Sequence, residues 1–217
     1  MIGVEVRAEG AGLGLEGPLM FLERSVEVGL DEAVEVLDGR GRSRLGRIAA
    51  IDEHRLVVEI LDPARNLSLS RSAVRFLGDG LQFGVGPGLL GRVLDGVGQP
   101  LDGGATPAIT EERLIQGLPM NPVARQLPRD FIETGISAID LLNSLVRGQK
   151  LPIFSGGGLP HDRLVLDIAR WARLRHEGQS DFAIVLVGMG ISFDAAERFQ
   201  RALEDGGAMG RTVLFLN

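Results

Sequence analysis

The sequence predicts a chain in two parts, α+β and α/β in class. A small β-barrel is expected over residues 1–77, and an α/β region built on a parallel sheet over residues 78–217. Three observations carry this reading. Short runs of alternating polarity, separated by turn residues, fill the first part. The texture turns to glycine and proline after Gly78. Beyond Arg129, apolar runs of strand length alternate with segments whose apolar residues recur at three- and four-residue spacing, the pattern of right-handed crossover units in a parallel sheet.

In the first part the expected strands are Ile2 to Arg7, Leu19 to Glu23, Ala33 to Leu37, Leu45 to Ile51, Arg55 to Leu61 and Ala73 to Leu77. Val34-Glu35-Val36 and Val57-Val58-Glu59-Ile60 alternate in polarity, and Asp38-Gly39-Arg40-Gly41 is a hairpin-turn sequence between two such runs. Many short strands with close turn signals point to a closed barrel or sandwich. Gly78 to Arg129 reads as loop, and a stretch of that length without regular structure marks a function or a domain junction.

In the α/β part, residues 131 to 146 suit a helix, because Ile136, Ile139, Leu142 and Val146 fall on one face. Leu151 to Phe154 reads as a short strand leading into a glycine run. Leu164, Ile168, Ala172 and Arg175 trace a second helix, with Trp171 on its apolar side. Phe182 to Val187 is continuously apolar, as a parallel strand covered on both faces should be. A helix from Ser192 to Glu204 follows, closed by Gly206-Gly207, and then a strand from Thr212 to Leu216. Such a strand needs cover on both faces, so the chain reads as part of something longer.

Composition removes several function classes. The net charge of −6 and the pI near 5.2 lack the basic balance of a nucleic-acid binder. There is no cysteine and only three histidines, His54, His161 and His176, in unrelated segments, so no metal site is expected. The longest apolar run, Phe182 to Ile191, is about half of the ~20 residues a membrane helix needs, and no signal-peptide pattern opens the chain. A cytoplasmic chain without membrane insertion is expected.

The chemistry-bearing feature is Ser155-Gly-Gly-Gly-Leu-Pro-His-Asp162. A strand, a glycine turn and a helix form the setting of the phosphate-binding P-loop, in which backbone N–H groups and a helix N-terminus hold nucleotide phosphates. The working motif is G-x-x-x-x-G-K-[ST]. Here the last glycine is replaced by Pro160, the lysine by His161 and the hydroxyl residue by Asp162. Pro160 has no N–H to give, and neutral His161 supplies no dependable charge. A carboxylate about 4 Å from a phosphate charge repels it by roughly 4 kcal/mol at an effective dielectric near 20. Ser155, Gly156, Gly157, Gly158 and Leu159 are therefore expected to make weak nucleotide contact or none. A purely structural role explains the same residues: a glycine turn, proline at the helix start, and an acid complementing the helix dipole.

Three segments carry a family resemblance: Leu89-Leu-Gly-Arg-Val-Leu-Asp-Gly-Val-Gly-Gln-Pro-Leu-Asp-Gly103, Gly117-Leu-Pro-Met-Asn-Pro-Val-Ala-Arg125, and Phe131-Ile-Glu-Thr-Gly-Ile-Ser-Ala-Ile-Asp140 running through Arg147-Gly-Gln-Lys-Leu-Pro-Ile-Phe-Ser-Gly156. The first resembles a segment common to rotary ATPases. The others resemble the B subunit, the non-catalytic nucleotide-domain component of V-type and archaeal-type ATPases. The Leu159-Pro160-His161 loop, Met189-Gly190-Ile191 and Val213 to Asn217 are similar to it too.

The resemblance implies an N-terminal β-barrel, a central α/β domain and a C-terminal helical domain. The last is expected to be absent from this chain, which leaves the α/β domain incomplete. It implies three copies alternating with three catalytic A subunits around a rotor, with stalk subunits as further partners and ATP or ADP at the A/B interface as the candidate cofactor. The complex would couple ATP synthesis or hydrolysis to proton or sodium transport, placing the chain peripheral to the membrane. Where catalytic relatives carry a water-polarising glutamate this chain has Ile191, so no catalytic residue is expected. Phe193-Asp194-Ala195 and the acid at Asp162 depart from the family pattern. A diverged, truncated paralogue acting as a binding module, or without function, is the alternative. An export-type ATPase shares the Gly-Arg-Val-Leu-Asp-Gly segment but keeps a true Gly-Lys-Thr loop.

Lys150, the single lysine, would lie ~13–17 Å from the turn along a strand, too far for phosphate. Asp52, Glu53 and Asp62 read as solvated turn residues, and Phe199 and Trp171 as core.

Overall fold

The computed structural model describes residues 4–7, 12–62, 67–117, 119, 121–174 and 182–217. The chain divides into two compact units, Met1–Gly84 with Glu111–Leu118, and Val85–Thr110 with Pro119–Asn217. Ile2, Arg175 and His176, which entered the expectations above, lie outside the described residues.

The first unit is built on β1 (Val4–Arg7), β2 (Gly12–Glu16), β3 (Leu19–Glu23), β4 (Glu32–Leu37), β5 (Ser43–Ile51), β6 (Arg55–Ile60) and β7 (Ala73–Gly80). They form one seven-stranded antiparallel sheet in the order β1-β7-β4-β5-β6-β3-β2. Alternation puts Met20, Leu22, Val34, Val36, Ile48, Leu56, Val58, Val74 and Phe76 into one apolar core. The intervening residues point away from it and pair across strands. Arg75 bonds Glu35, and Arg47 bonds Glu59, each pair directly opposite in register. Gly46 is fixed by packing, because a Cβ there would stand 2.8 Å from the Glu59 carbonyl oxygen and 3.1 Å from Val34 Cγ2. Strand β2 was not expected, because Gly12-Leu-Gly-Leu-Glu16 is poor in β-branched residues and finds its place by pairing with β3.

Residues 78–129 are less irregular than expected. They contain β8 (Gln82–Val85), β9 (Val93–Asp95) and β10 (Glu111–Leu114), and β10 pairs with β8.

In the second unit, β11 (Phe131–Glu133), helix α1 (Ser137–Leu142) and β12 (Leu145–Val146) replace the single helix expected over 131–146. The Asp140 carboxylate takes the Thr134 N–H at 2.9 Å, the Thr134 hydroxyl at 2.7 Å and the Gly135 N–H at 3.1 Å, and Gly135 has φ +76°. These contacts fold the chain back, so Phe131 and Ile132 pair antiparallel with Val146 and Leu145. Leu141 and Leu142 are left exposed.

Helix α2 (His161–Trp171), β13 (Arg173–Leu174), β14 (Ile184–Gly188), helix α3 (Phe193–Asp205) and β15 (Thr212–Leu216) complete the chain. The predicted parallel sheet is present, in the order β14-β15-β9. Its third strand is not Leu151–Phe154. That segment forms no strand, because Pro152 has no N–H for a ladder, and Phe154 is 92% exposed. Val93–Asp95 takes the place instead.

Ile184 and Leu186 of β14 pack on Ala169 of α2 and Leu203 of α3. Val185 and Val187, on the other face, are exposed, so the expectation of a strand covered on both faces fails. β14 is an edge strand here. Phe199 is core, as expected, but Trp171 is 55% exposed, with its Cβ close to Gly135 and the Arg170 guanidinium 5.3 Å from its ring. Ser192 caps α3 by accepting the Ala195 N–H, and Gly207 at φ +67° follows its end.

Candidate functional site

The signature segment from Leu89 to Gly103 owes its order to two aspartates. Asp95 Oδ1 accepts the N–H groups of Val97 at 3.0 Å and Gln99 at 2.7 Å, closing a turn that contains Gly98 at φ +87°. Asp102 holds Arg92 through both carboxylate oxygens, at 2.6 and 2.8 Å, and accepts the N–H groups of Val93 and Gly104. The Arg92 guanidinium, with those two N–H groups, keeps the Asp102 carboxyl well below the usual carboxylate range. The clamp fixes β9, whose backbone then joins β15, as in the Leu214 N–H to Arg92 carbonyl bond of 3.0 Å. These residues therefore build the sheet. The signal was present in Val93-Leu94, two apolar residues between turn formers, but two residues are too few to read as a strand.

The glycine loop leads into α2. Gly157 and Gly158 form a turn, and from Pro152 to Pro160 every residue is exposed. Among its three glycines only Gly158 has a left-handed backbone, at φ +82°. A Cβ on Gly157 would meet nothing, and one on Gly156 only Leu159 Cδ1 at 3.9 Å, so neither glycine is needed by the chain's own packing.

The helix start is closed by its own residues. The His161 N–H donates to the Leu159 carbonyl at 2.9 Å, and His161 Nδ1 lies 3.0 Å from the same oxygen. His161 Nε2 is 3.3 Å from Asp162 Oδ1, and the Asp162 side chain is 44% exposed. Pro160 is the N-cap residue, one position before the helical N1 that the sequence suggested, and it contributes no side-chain capping bond. Nucleotide phosphates fit this terminus poorly. One N–H is missing at Pro160, that of His161 is spent on Leu159, and a carboxylate stands in the first turn.

Beside this terminus an open groove of about 600 Å³ runs between α2 and α3. It is lined by residues of both signs, among them Asp162, Arg163, Asp167, Arg198 and Arg201. Asp167 pairs with Arg163, and Arg201 with Glu197.

Ile191 follows β14, with its Cδ1 only 2.6 Å from where a Cβ on Gly188 would stand. It is half-buried over the strand end, and an alkyl side chain there has no acceptor with which to orient water. The Gly190 N–H to Asn217 carbonyl bond and the Asn217 N–H to Gly188 carbonyl bond tie this turn to the end of β15. The expected carboxylate turn residues behave as such: Asp52 pairs with Arg55, and Asp62 accepts the Leu45 N–H. Lys150 is exposed. Among the described residues no group of three or more His, Cys, Asp or Glu could hold a metal ion, and no helix is long and apolar enough to cross a membrane.

A parallel sheet backed by two helices, one of them entered through a glycine loop, makes this an α/β unit. Residues 135–217 match the nucleotide-binding domain of the ATP synthase alpha/beta family. The chain is also 43% identical over 203 residues to the B subunit of the A-type ATP synthase of Aeropyrum pernix, an alignment covering 94% of this chain and 44% of that protein. The chain is thus similar along nearly its whole length to the B subunit of an A-type ATP synthase, shares the ATP synthase alpha/beta nucleotide-binding domain over residues 135–217, and spans less than half the length of that relative.

Proposed function

We propose that this chain serves as a non-catalytic, regulatory and structural component of a rotary A/V-type ATPase or ATP synthase, the complex that couples ATP synthesis or hydrolysis to proton or sodium transport. The observation that carries the proposal is the closed helix start. Pro160, His161 and Asp162 occupy the positions where a phosphate-binding loop needs an N–H, a cation and a hydroxyl, and His161 and Asp162 face each other. Ile191 supports it, since it leaves the end of β14 without a group to activate water.

On this reading the first unit's sheet closes as a β-barrel spanning residues 1–77, and 78–217 forms the nucleotide-type domain. The catalytic A subunit alternates with this chain in a ring, stalk subunits contact the ring, and the assembly is peripheral to the membrane. ATP or ADP, where present, sits at the A/B interface and is held mainly by the partner. Ser155, Gly156, Gly157, Gly158 and Leu159 form the near wall, with weak contact or none.

The test is co-purification of the tagged chain from its own cell extract. The proposal predicts that the catalytic partner is recovered with it in about equal amount. Recovery of the folded chain with no such partner would overturn the ring assignment.

A further inference from the structure

The hairpin between β4 and β5 is organised by one buried acid. Asp38 has a side chain only 3% exposed. Its Oδ1 accepts the N–H groups of Arg40 at 2.8 Å and Arg42 at 3.0 Å, while Oδ2 accepts Arg42 Nε at 2.9 Å and lies 3.5 Å from Arg44. The Arg42 N–H leads the contacts that outweigh burial and hold the Asp38 carboxyl at about 2. Asp38 is therefore matched by Arg42 and Arg44, and the turn backbone is fixed from beneath.

Against this turn lies the 3-10 segment Leu69–Arg71. A Cβ on Gly39 would stand 2.8 Å from Arg71 Cβ and 3.2 Å from the Arg71 carbonyl oxygen, so only glycine admits the approach. The two segments enclose a cavity of about 420 Å³, lined by Asp38, Gly39, Arg40, Arg42, Leu67, Ser68 and Arg71. Three arginines and one aspartate give that lining a charge of +2 (3 − 1), in a chain whose net charge is −6. Among the described residues no carboxylate pairs with Arg40 or Arg71. Arg40 and Arg71 thus line a cavity of ligand size without a carboxylate partner among the described residues, on a turn already held in place.

We propose that this cavity binds a phosphate-type oxyanion, held between Arg40, Arg42 and Arg71. Planar guanidinium forks match tetrahedral oxyanions in paired hydrogen bonds, and the fixed turn lowers the ordering cost of binding. The oxyanion comes either as free phosphate or as the phosphate tail of a nucleotide. This site is in the first unit and does not rest on the role proposed for the glycine loop.

The test is a two-dimensional NMR titration of the isotopically labelled full chain in a buffer free of phosphate, at constant ionic strength. One arm uses inorganic phosphate and the other ADP. The proposal predicts saturating shifts of the backbone amides of residues 39–42 and 71. Arg71→Gln should weaken binding about tenfold or more, the worth of one charge-assisted hydrogen bond. Gly39→Ala keeps every charge but forces Arg71 away from the turn, and it should weaken binding as well. ADP binding at least tenfold tighter than phosphate at the same amides identifies the nucleotide tail as the ligand, and equal affinities identify free phosphate. The spectra report whether each variant is folded. Shifts that rise linearly and spread over arginines throughout the chain, or affinities unchanged in folded Arg71→Gln, overturn the proposal.

Discussion

Replacing Asp162 with asparagine and His161 with lysine should turn a helix start that repels phosphate into one that attracts it. At a separation of about 4 Å the charge of Asp162 is worth roughly 4 kcal/mol at an effective dielectric near 20. The Asp162 side chain is 44% exposed, so solvent screens much of this. A discounted value of about 1–2 kcal/mol corresponds to a gain of roughly 5- to 30-fold in affinity for Asp162→Asn alone. His161→Lys adds an attraction of similar size, and it also removes the imidazole that faces Asp162 Oδ1 at 3.3 Å. Because the two side chains interact, their effects should not simply add. The assay is calorimetric titration with pyrophosphate in the presence of a chelator, so that no Mg²⁺ bridges the carboxylate. Both variants change exposed or half-exposed side chains and should retain the wild-type fold, which circular dichroism checks. The gain should shrink as salt is raised. Wild-type affinity equal to that of the double variant would show that Asp162 does not govern phosphate at this terminus.

Leu203→Ala should destabilise the second unit by about 2–5 kcal/mol, since Leu203 is 1% exposed in the cluster joining α2, α3 and β14, and urea denaturation measures the loss. Gly46→Ala should cost the first unit about 1–3 kcal/mol, because the added methyl meets the Glu59 carbonyl and Val34 between central strands; the melting temperature reads it. Asp38 has a depressed carboxyl in the folded chain, so its contribution to stability is complete above about pH 4 and is lost as pH falls through about 2. Melting temperatures measured from pH 5 down to pH 2 should fall more steeply for the wild type than for Asp38→Asn.

The first unit was largely legible because alternation fixes which face of a strand is buried. Val34 and Val36 point inward around Glu35, and β3, β4, β5 and β6 follow the sequence pattern closely. The second unit was less so, because its decisive contacts are between residues far apart in sequence or are polar and short-range. Nothing local in Leu151–Phe154 distinguishes it from a buried strand except Pro152, whereas Val93–Asp95 becomes a strand only through the Asp102 clamp and β15. The helix expected over 131–146 was a correct periodicity overruled by Thr134, Gly135 and Asp140. At the candidate site the residue types of the loop were readable. The contact of His161 with Asp162, and the spending of the His161 N–H on Leu159, depend on the path of the backbone through Gly158 and Pro160 and carry no signature in residue type.

The role proposed above makes this chain the silent partner of a catalytic neighbour. The most direct measurement is ATP turnover by the purified chain at saturating MgATP. A non-catalytic role predicts release of phosphate no faster than in buffer. Turnover above that level, abolished when His161 or Asp162 is replaced, would contradict it.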